Sequence, residues 1–509
     1  KFGDNLLAET NGYKLIIENK EDLAGLPQSF IDAGVETAKK NGMDGKWVFT
    51  LQNPSVMPFL QYSAKRDLRE KIWRAYMSRG NNGNAYDNND VIKEIVNLRM
   101  ERANLLGYKT HADFVLEDNM AKNPAGVYGL LDKLWKPSIE TAKKEAADIQ
   151  AIIDKNGGTF KVQPWDWRYY TELIRKEKYD LDEEMLKPYF ELNNVRNGIF
   201  TLANKLYGIT FTEKTDVPKY HEEVTAYEVN DEDGSYIGIF YLDMHPRSTK
   251  RGGAWMNNYR DQYVLNGKNI NPIIGVVCNF TRPTGDMPAL LTYDEVETFF
   301  HEFGHALQGF LSKCTFKSTS GTNVSRDYVE LPSQIMENWA GEPEVMAFYA
   351  KHYKTGEMIP KELLDKMDKS SKFNQGFATT EYLAACYLDM AYYTRTEALT
   401  QNPIAYEEKV LSDLGLIPEI ISRYKSTYFN HIFNSGYSAG YYSYIWAQVL
   451  DADAFQAFVE NGIFDKKTAK LFRDNVLSKG ASGDPMENYI AFRGKEPSIN
   501  ALLKRKGMQ

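Results

Sequence analysis

The chain has 509 residues, 43% hydrophobic and 26% charged, ample for a large buried core and too rich in aromatics for a disordered polymer. Lys and Arg number 61 against 69 Asp and Glu; the net charge of -8, with no basic block, argues against nucleic acid or an anionic membrane surface as partner. Cys278, Cys314 and Cys386 are too few and too scattered for a disulfide scaffold, and no run approaches the ~18 apolar residues of a membrane span.

Most of the sequence predicts helix. A short strand at 47–51 (WVFTL) precedes segments 62–79 and 91–106, where apolar residues recur every three or four positions among Lys, Arg and Glu. The same period runs through 125–155, where Trp135 and Pro137 predict a break or a fresh start, and through 165–206, with loops expected at 179–181 and 193–194. Strands cluster in the middle. Segments 224–229 and 236–243 alternate around NDEDG and predict a hairpin, and 272–280 (PIIGVVCNF) suits a buried strand. Helical periodicity then dominates beyond Pro332. The fold class is mainly α, with one small β-sheet just ahead of residue 290.

The chemistry lies just beyond that sheet. Thr292 and Glu295 form a capping-box signature that predicts a helix start. Inside this helix lies His301-Glu302-Phe303-Gly304-His305. Residues four apart share a helix face, so His301 and His305 can turn their imidazoles toward one metal ion. Glu302, beside the first ligand, is placed to take the proton of an attacking water. Gly304 costs about 1 kcal/mol in a helix interior and demands a packing or functional reason.

A hydrolytic zinc needs a third protein ligand and an open position. No third His comes soon after. Glu330, in SRDYVELPSQIMENW, is the preferred ligand because Leu331-Pro332 reads as a helix opening. Glu337, seven residues on, falls on the same face and could bond a ligand imidazole, while Asp327 competes for either post. The segment HIFNSGYSAGYYSYIW, from His431 to Trp446, is the second unusual stretch. His431 and the phenols of Tyr437, Tyr441 and Tyr444 could supply neutral donors to an oxyanion, from a loop that Gly436 and Gly440 loosen, and spacing does not choose among them. Tyr442 and Trp446 are expected in the core.

These segments, together with RGGAW at 251–255 and FRGKEPSINALLKRKG near the C-terminus, resemble the thimet oligopeptidase family of zinc peptidases, and within it the bacterial peptidyl-dipeptidase branch. The resemblance implies a large, two-lobed helical ellipsoid with a deep channel that admits short unfolded peptides. It implies one Zn²⁺ per chain on His301, His305 and Glu330, with Glu302 as general base. His431, Tyr437 and Tyr444 then bind substrate and polarise its scissile carbonyl, with Tyr441 as a further substrate-binding residue. It also implies that 1–509 is a single catalytic domain lacking an N-terminal helical segment found in full-length relatives.

The expected activity is release of C-terminal dipeptides, by a monomer in the cytoplasm, or alternatively the periplasm. An endo-oligopeptidase of the same family is the nearest alternative. A peptide-binding protein without turnover is another, disfavoured because Glu302 is intact. Dipeptide release requires a cation about two extended residues, ~7 Å, beyond the scissile bond. Arg493, which Gly494 and Pro497 are expected to hold outside regular helix, is the choice for that cation, and Arg282 the reserve.

Overall fold

A computed structural model describes residues 1–507. Helices dominate, and one five-stranded sheet lies in the middle of the chain, as the sequence predicts. The helix Pro124–Lys155 opens with the Asn123 side chain accepting from Gly126 N–H and with proline at its first position. It then runs unbroken through Pro137 for 32 residues. The predicted break does not occur, because Val127, Leu131, Leu134, Ser138, Ala142 and Ile149 form one buried face on both sides of the proline. That face packs along Gln375–Tyr393, and tertiary burial offsets the lost backbone bond. The loop expected at 193–194 is also displaced. Glu191 caps the helix Leu192–Tyr207 by accepting from Asn194 N–H, so both asparagines lie in its first turn.

Segment 47–51 contributes the strand Trp47–Phe49, paired antiparallel with Leu15–Ile17. The predicted hairpin is present as Thr225–Asn230 and Tyr236–Asp243. The buried strand Ile273–Val277 lies parallel to Tyr236–Asp243 and antiparallel to Trp255–Arg260, and Thr210–Glu213 closes the other edge. Its inner residues Phe240, Leu242, Ile274 and Val276 are buried against the helix Tyr293–Phe310. Phe240 meets Phe310 edge-on at 5.5 Å and Phe303 at 6.0 Å. Gly309 lets that helix end close on the sheet, since a Cβ there would lie 2.5 Å from Ile274 Cδ1. The sheet is thus a rigid back plate for the helix that carries the His pair.

Apolar residues gather in two large and two smaller clusters, and a deep cleft of about 2060 Å³ runs between their polar margins. Residues from the N-terminal cluster, among them Phe49, Leu60 and Trp73, line it together with His301, Glu330 and His431. No helix among the described residues is long and apolar enough to cross a membrane.

Candidate metal centre and active site

The helix Tyr293–Phe310 begins where its sequence predicts. Thr292 accepts from Glu295 N–H, and Glu295 accepts from Thr292 N–H in return. The Glu295 carboxylate also accepts from Thr281 N–H at 2.7 Å, which ties the helix start to the chain leaving the sheet. Two turns later the His301 and His305 rings stand 5.0 Å apart on one face.

Gly304 explains how a third donor reaches them. A Cβ at this position would sit 2.2 Å from Pro332 O and 2.6 Å from Ser333 Cα, so only glycine lets the helix Leu331–Ala340 approach this closely. Glu330, immediately before that helix, is thereby brought over the His pair. Its Oε2 lies 3.2 Å from His301 Nε2 and 3.1 Å from His305 Nε2. Replacing Gly304 by Ala is expected to cost about 1–3 kcal/mol, typical of overpacking, and to weaken metal binding by moving Glu330. A lowered Tm together with lowered metal content checks this; a change in neither would mean the two helices can separate freely.

Burial opposes ionisation of Glu330, yet the two imidazoles outweigh it and hold the carboxyl well below its usual range. Ser333 donates to Oε2, and the Tyr437 hydroxyl donates to Oε1. Glu337 falls where its spacing predicts, with Oε1 2.5 Å from His301 Nδ1, and so fixes that ring's orientation. Glu302, the residue after His301, lines the same cleft; it is buried, and its Oε2 has no hydrogen-bond partner among the described residues. Burial raises its pKa, against the pull of both histidines.

The donor set fits a metal ion. One donor atom from each of His301, His305 and Glu330 lies within 4.8 Å of the others, and no other such cluster occurs among the described residues. Two imidazoles and a carboxylate suit a catalytic zinc, and the orphaned Glu302 oxygen beside them suits a group that handles a proton in transit.

His431 stands on the short helix Asn430–Phe433, its ring 5.8 Å from Tyr437, 5.2 Å from Tyr441 and 6.2 Å from Tyr444. Burial, reinforced by the Arg423 charge, pulls its pKa down to about 4, so the ring is neutral near pH 7. Tyr437 and Tyr444 stack at 5.3 Å with their planes 5° apart. Burial keeps both phenols protonated, as donors must be. Tyr441 reaches the cleft wall but is 3% exposed, packed against Phe429 and Tyr382. Tyr442 lies in the core, as predicted.

Three expectations need correction. Asp327 is turned away from the donor cluster, accepting from Met120 N–H, Ala121 N–H and the Tyr442 hydroxyl, so it serves as a structural clamp. Arg493 ends the regular helix Pro485–Arg493, capped by Gly494 in the left-handed region. Its guanidinium binds Glu460 and the Asp453 carbonyl away from the cleft lining, which removes it as the carboxylate anchor. The reserve, Arg282, lines the cleft but is held by Glu223 at 2.6 and 3.0 Å. Finally, the Gly-Tyr loop is pinned. Asp389 accepts from Ala439 N–H and Tyr441 N–H at 2.8 and 2.9 Å, securing Ala439 at φ +53°. Asp389 escaped the sequence reading, although one acid inside the apolar run YLAACYLDMAYY signals a buried carboxylate with a task.

A metal-binding triad, a buried carboxylate and neutral donors in a deep cleft define a metallohydrolase. Residues 59–508 match Peptidase family M3, and the chain belongs to that family of metallopeptidases. It is 41% identical over 511 residues to dipeptidyl carboxypeptidase of Escherichia coli, covering 100% of this chain and 75% of the relative. It is 39% identical over 515 residues to oligopeptidase A of Haemophilus influenzae, covering 100% and 76%. Organellar oligopeptidase A of Arabidopsis thaliana is 37% identical over 529 residues, covering 100% and 66%.

Proposed function

We propose that this metallopeptidase is a zinc peptidyl-dipeptidase that removes C-terminal dipeptides from short unfolded peptides. The observation that carries the hydrolytic part is the convergence of His301, His305 and Glu330 beside the unpartnered Glu302 carboxylate in the cleft. When bound, zinc supplies Lewis-acid polarisation at neutral pH. Glu302 takes a proton from the attacking water and passes it to the departing amine. Its raised pKa suits both halves of that exchange. His431, Tyr437 and Tyr444 orient the scissile carbonyl and donate to the oxygen as charge develops there. Residues 1–509 act as one catalytic unit, working as a monomer.

The phenols divide their work. Tyr437 gives its hydroxyl to Glu330, whereas Tyr444 is stacked beside it and half-buried at the cleft. Tyr444→Phe is expected to lower kcat about 10²-fold with KM and metal content little changed. Tyr437→Phe should lower kcat and also weaken metal binding, since Glu330 loses a donor. Steady-state kinetics with metal analysis separates these outcomes, and unchanged turnover in both variants returns the pair to packing.

Dipeptide release is tested with one defined octapeptide, as free acid and as C-terminal amide. Mass spectrometry should find successive losses of dipeptides from the free acid and slow cleavage of the amide. Internal cuts made equally in both would instead identify an endo-oligopeptidase, consistent with its oligopeptidase A relatives.

A further inference from the structure

Side chains that orient a carbonyl must themselves be held in place, and three groups that hold the segment from His431 to Ile445 project from one helix. Gln375–Tyr393 carries Tyr382, Asp389 and Tyr393, whose spacing of seven and then four residues puts them on a single face. Each binds main chain, which leaves the side chains of the segment free to meet substrate. The Tyr393 hydroxyl donates to Ile432 O at 2.8 Å, one residue from His431. Asp389 accepts from Ala439 N–H with one carboxylate oxygen and from Tyr441 N–H with the other. The Tyr382 hydroxyl donates to Tyr441 O at 2.6 Å and accepts from Ile445 N–H at 3.2 Å, next to Tyr444.

Asp389 holds the point of greatest strain. Ala439 is a non-glycine residue at φ +53°, a conformation that persists only where the surroundings impose it. It lies between Tyr437 and Tyr444, whose rings stack at 5.3 Å with their planes 5° apart. A fully buried carboxylate whose two oxygens serve main-chain N–H groups on either side of Gly440 is the group that imposes this turn. The helix that presents it is fixed in its turn. Glu145 of Pro124–Lys155 accepts from Gly376 N–H and Phe377 N–H at 3.0 and 2.7 Å. A Cβ on Gly376 would lie 2.5 Å from Ala142 N, so the two helices meet there backbone to backbone. Rigidity thus passes from the long helix, through Gln375–Tyr393, to the loop.

We propose that Gln375–Tyr393 is the template of the active-site loop and Asp389 its central positioning residue, setting the turn at Ala439 and with it the places of His431, Tyr437 and Tyr444 around the scissile carbonyl. This rests on the reading of those three residues as the groups that orient and polarise that carbonyl. The test compares the native enzyme with Asp389→Asn, Tyr382→Phe and Tyr444→Phe. Asparagine keeps the volume of aspartate but offers one acceptor oxygen to two N–H groups. Asp389→Asn should lower kcat about 10- to 100-fold with KM changed less than about threefold, the scale on which a misplacement of about 1 Å acts. A phosphinic peptide, with a tetrahedral oxygen where the oxyanion forms, should bind more weakly by the same factor as kcat, while a product dipeptide binds as before. Tyr382→Phe removes only a hydroxyl and serves if Asp389→Asn does not fold; it should show the same pattern with a loss of about three- to tenfold. In both variants amide hydrogen exchange should quicken across 431–445 and stay unchanged across Tyr293–Phe310. Faster exchange in both segments, or loss of kcat matched by loss of metal, would make Asp389 a general stability group and overturn the positioning role. Unchanged kcat in Asp389→Asn and Tyr382→Phe beside a loss in Tyr444→Phe would overturn the template and leave the phenol catalytic. Unchanged kcat in all three would overturn the reading of the loop itself, and the template with it.

Discussion

Glu302→Gln is expected to keep its metal and lose turnover, by about 10²- to 10⁴-fold, the usual contribution of a general base. The substitution preserves volume at a position that is 5% exposed, so the helix Tyr293–Phe310 and its back plate should not shift. Glu302 is not part of the donor cluster, which His301, His305 and Glu330 complete without it. What the amide cannot do is accept a proton. Nor should it harm folding, because a buried carboxylate oxygen without a partner is costly, and a neutral side chain there relieves part of that cost. The metal-free variant should therefore unfold at or above the temperature of the metal-free native protein. Metal analysis, turnover and thermal unfolding are the three readings. Persistent turnover would move the base to another residue, and loss of metal would make Glu302 a ligand.

The metal centre was largely legible in the sequence because it is built from short-range rules. Four-residue spacing places His301 and His305, a capping box starts their helix, and seven-residue spacing carries Glu337 to His301. Gly304 was legible only as an anomaly. Its reason, the Pro332 carbonyl 2.2 Å from where a Cβ would be, belongs to a contact between two helices and not to either alone. Long-range contacts account for the misreadings too. Nothing local shows that Glu460 and Asp453 wait for Arg493, or that Asp327 is spent on Met120 and Ala121, 207 and 206 residues away. The unbroken helix through Pro137 likewise depends on Gln375–Tyr393, far along the chain.

Glu330→Ala should cost more than about 10²-fold in metal affinity, above the 10- to 100-fold that losing an outer hydrogen-bond partner costs. Two imidazoles alone would remain, with no third donor within reach among the described residues. The alternative acid cannot move in, since Asp327 holds two backbone N–H groups and the Tyr442 hydroxyl from a fully buried position. This sets a ranked series. Glu337→Gln should weaken the metal about 10- to 100-fold, because His301 loses the carboxylate that orients it. Asp327→Asn should leave metal stoichiometry intact and lower stability by about 1.5–3 kcal/mol, the worth of a hydrogen bond to a charged group. Competitive chelation titrations rank the affinities, and denaturant unfolding of the metal-free proteins separates binding from folding. Stoichiometric tight binding in Glu330→Ala would dissolve the triad. Loss of metal in Asp327→Asn with an unchanged unfolding midpoint would move that residue from clamp to ligand.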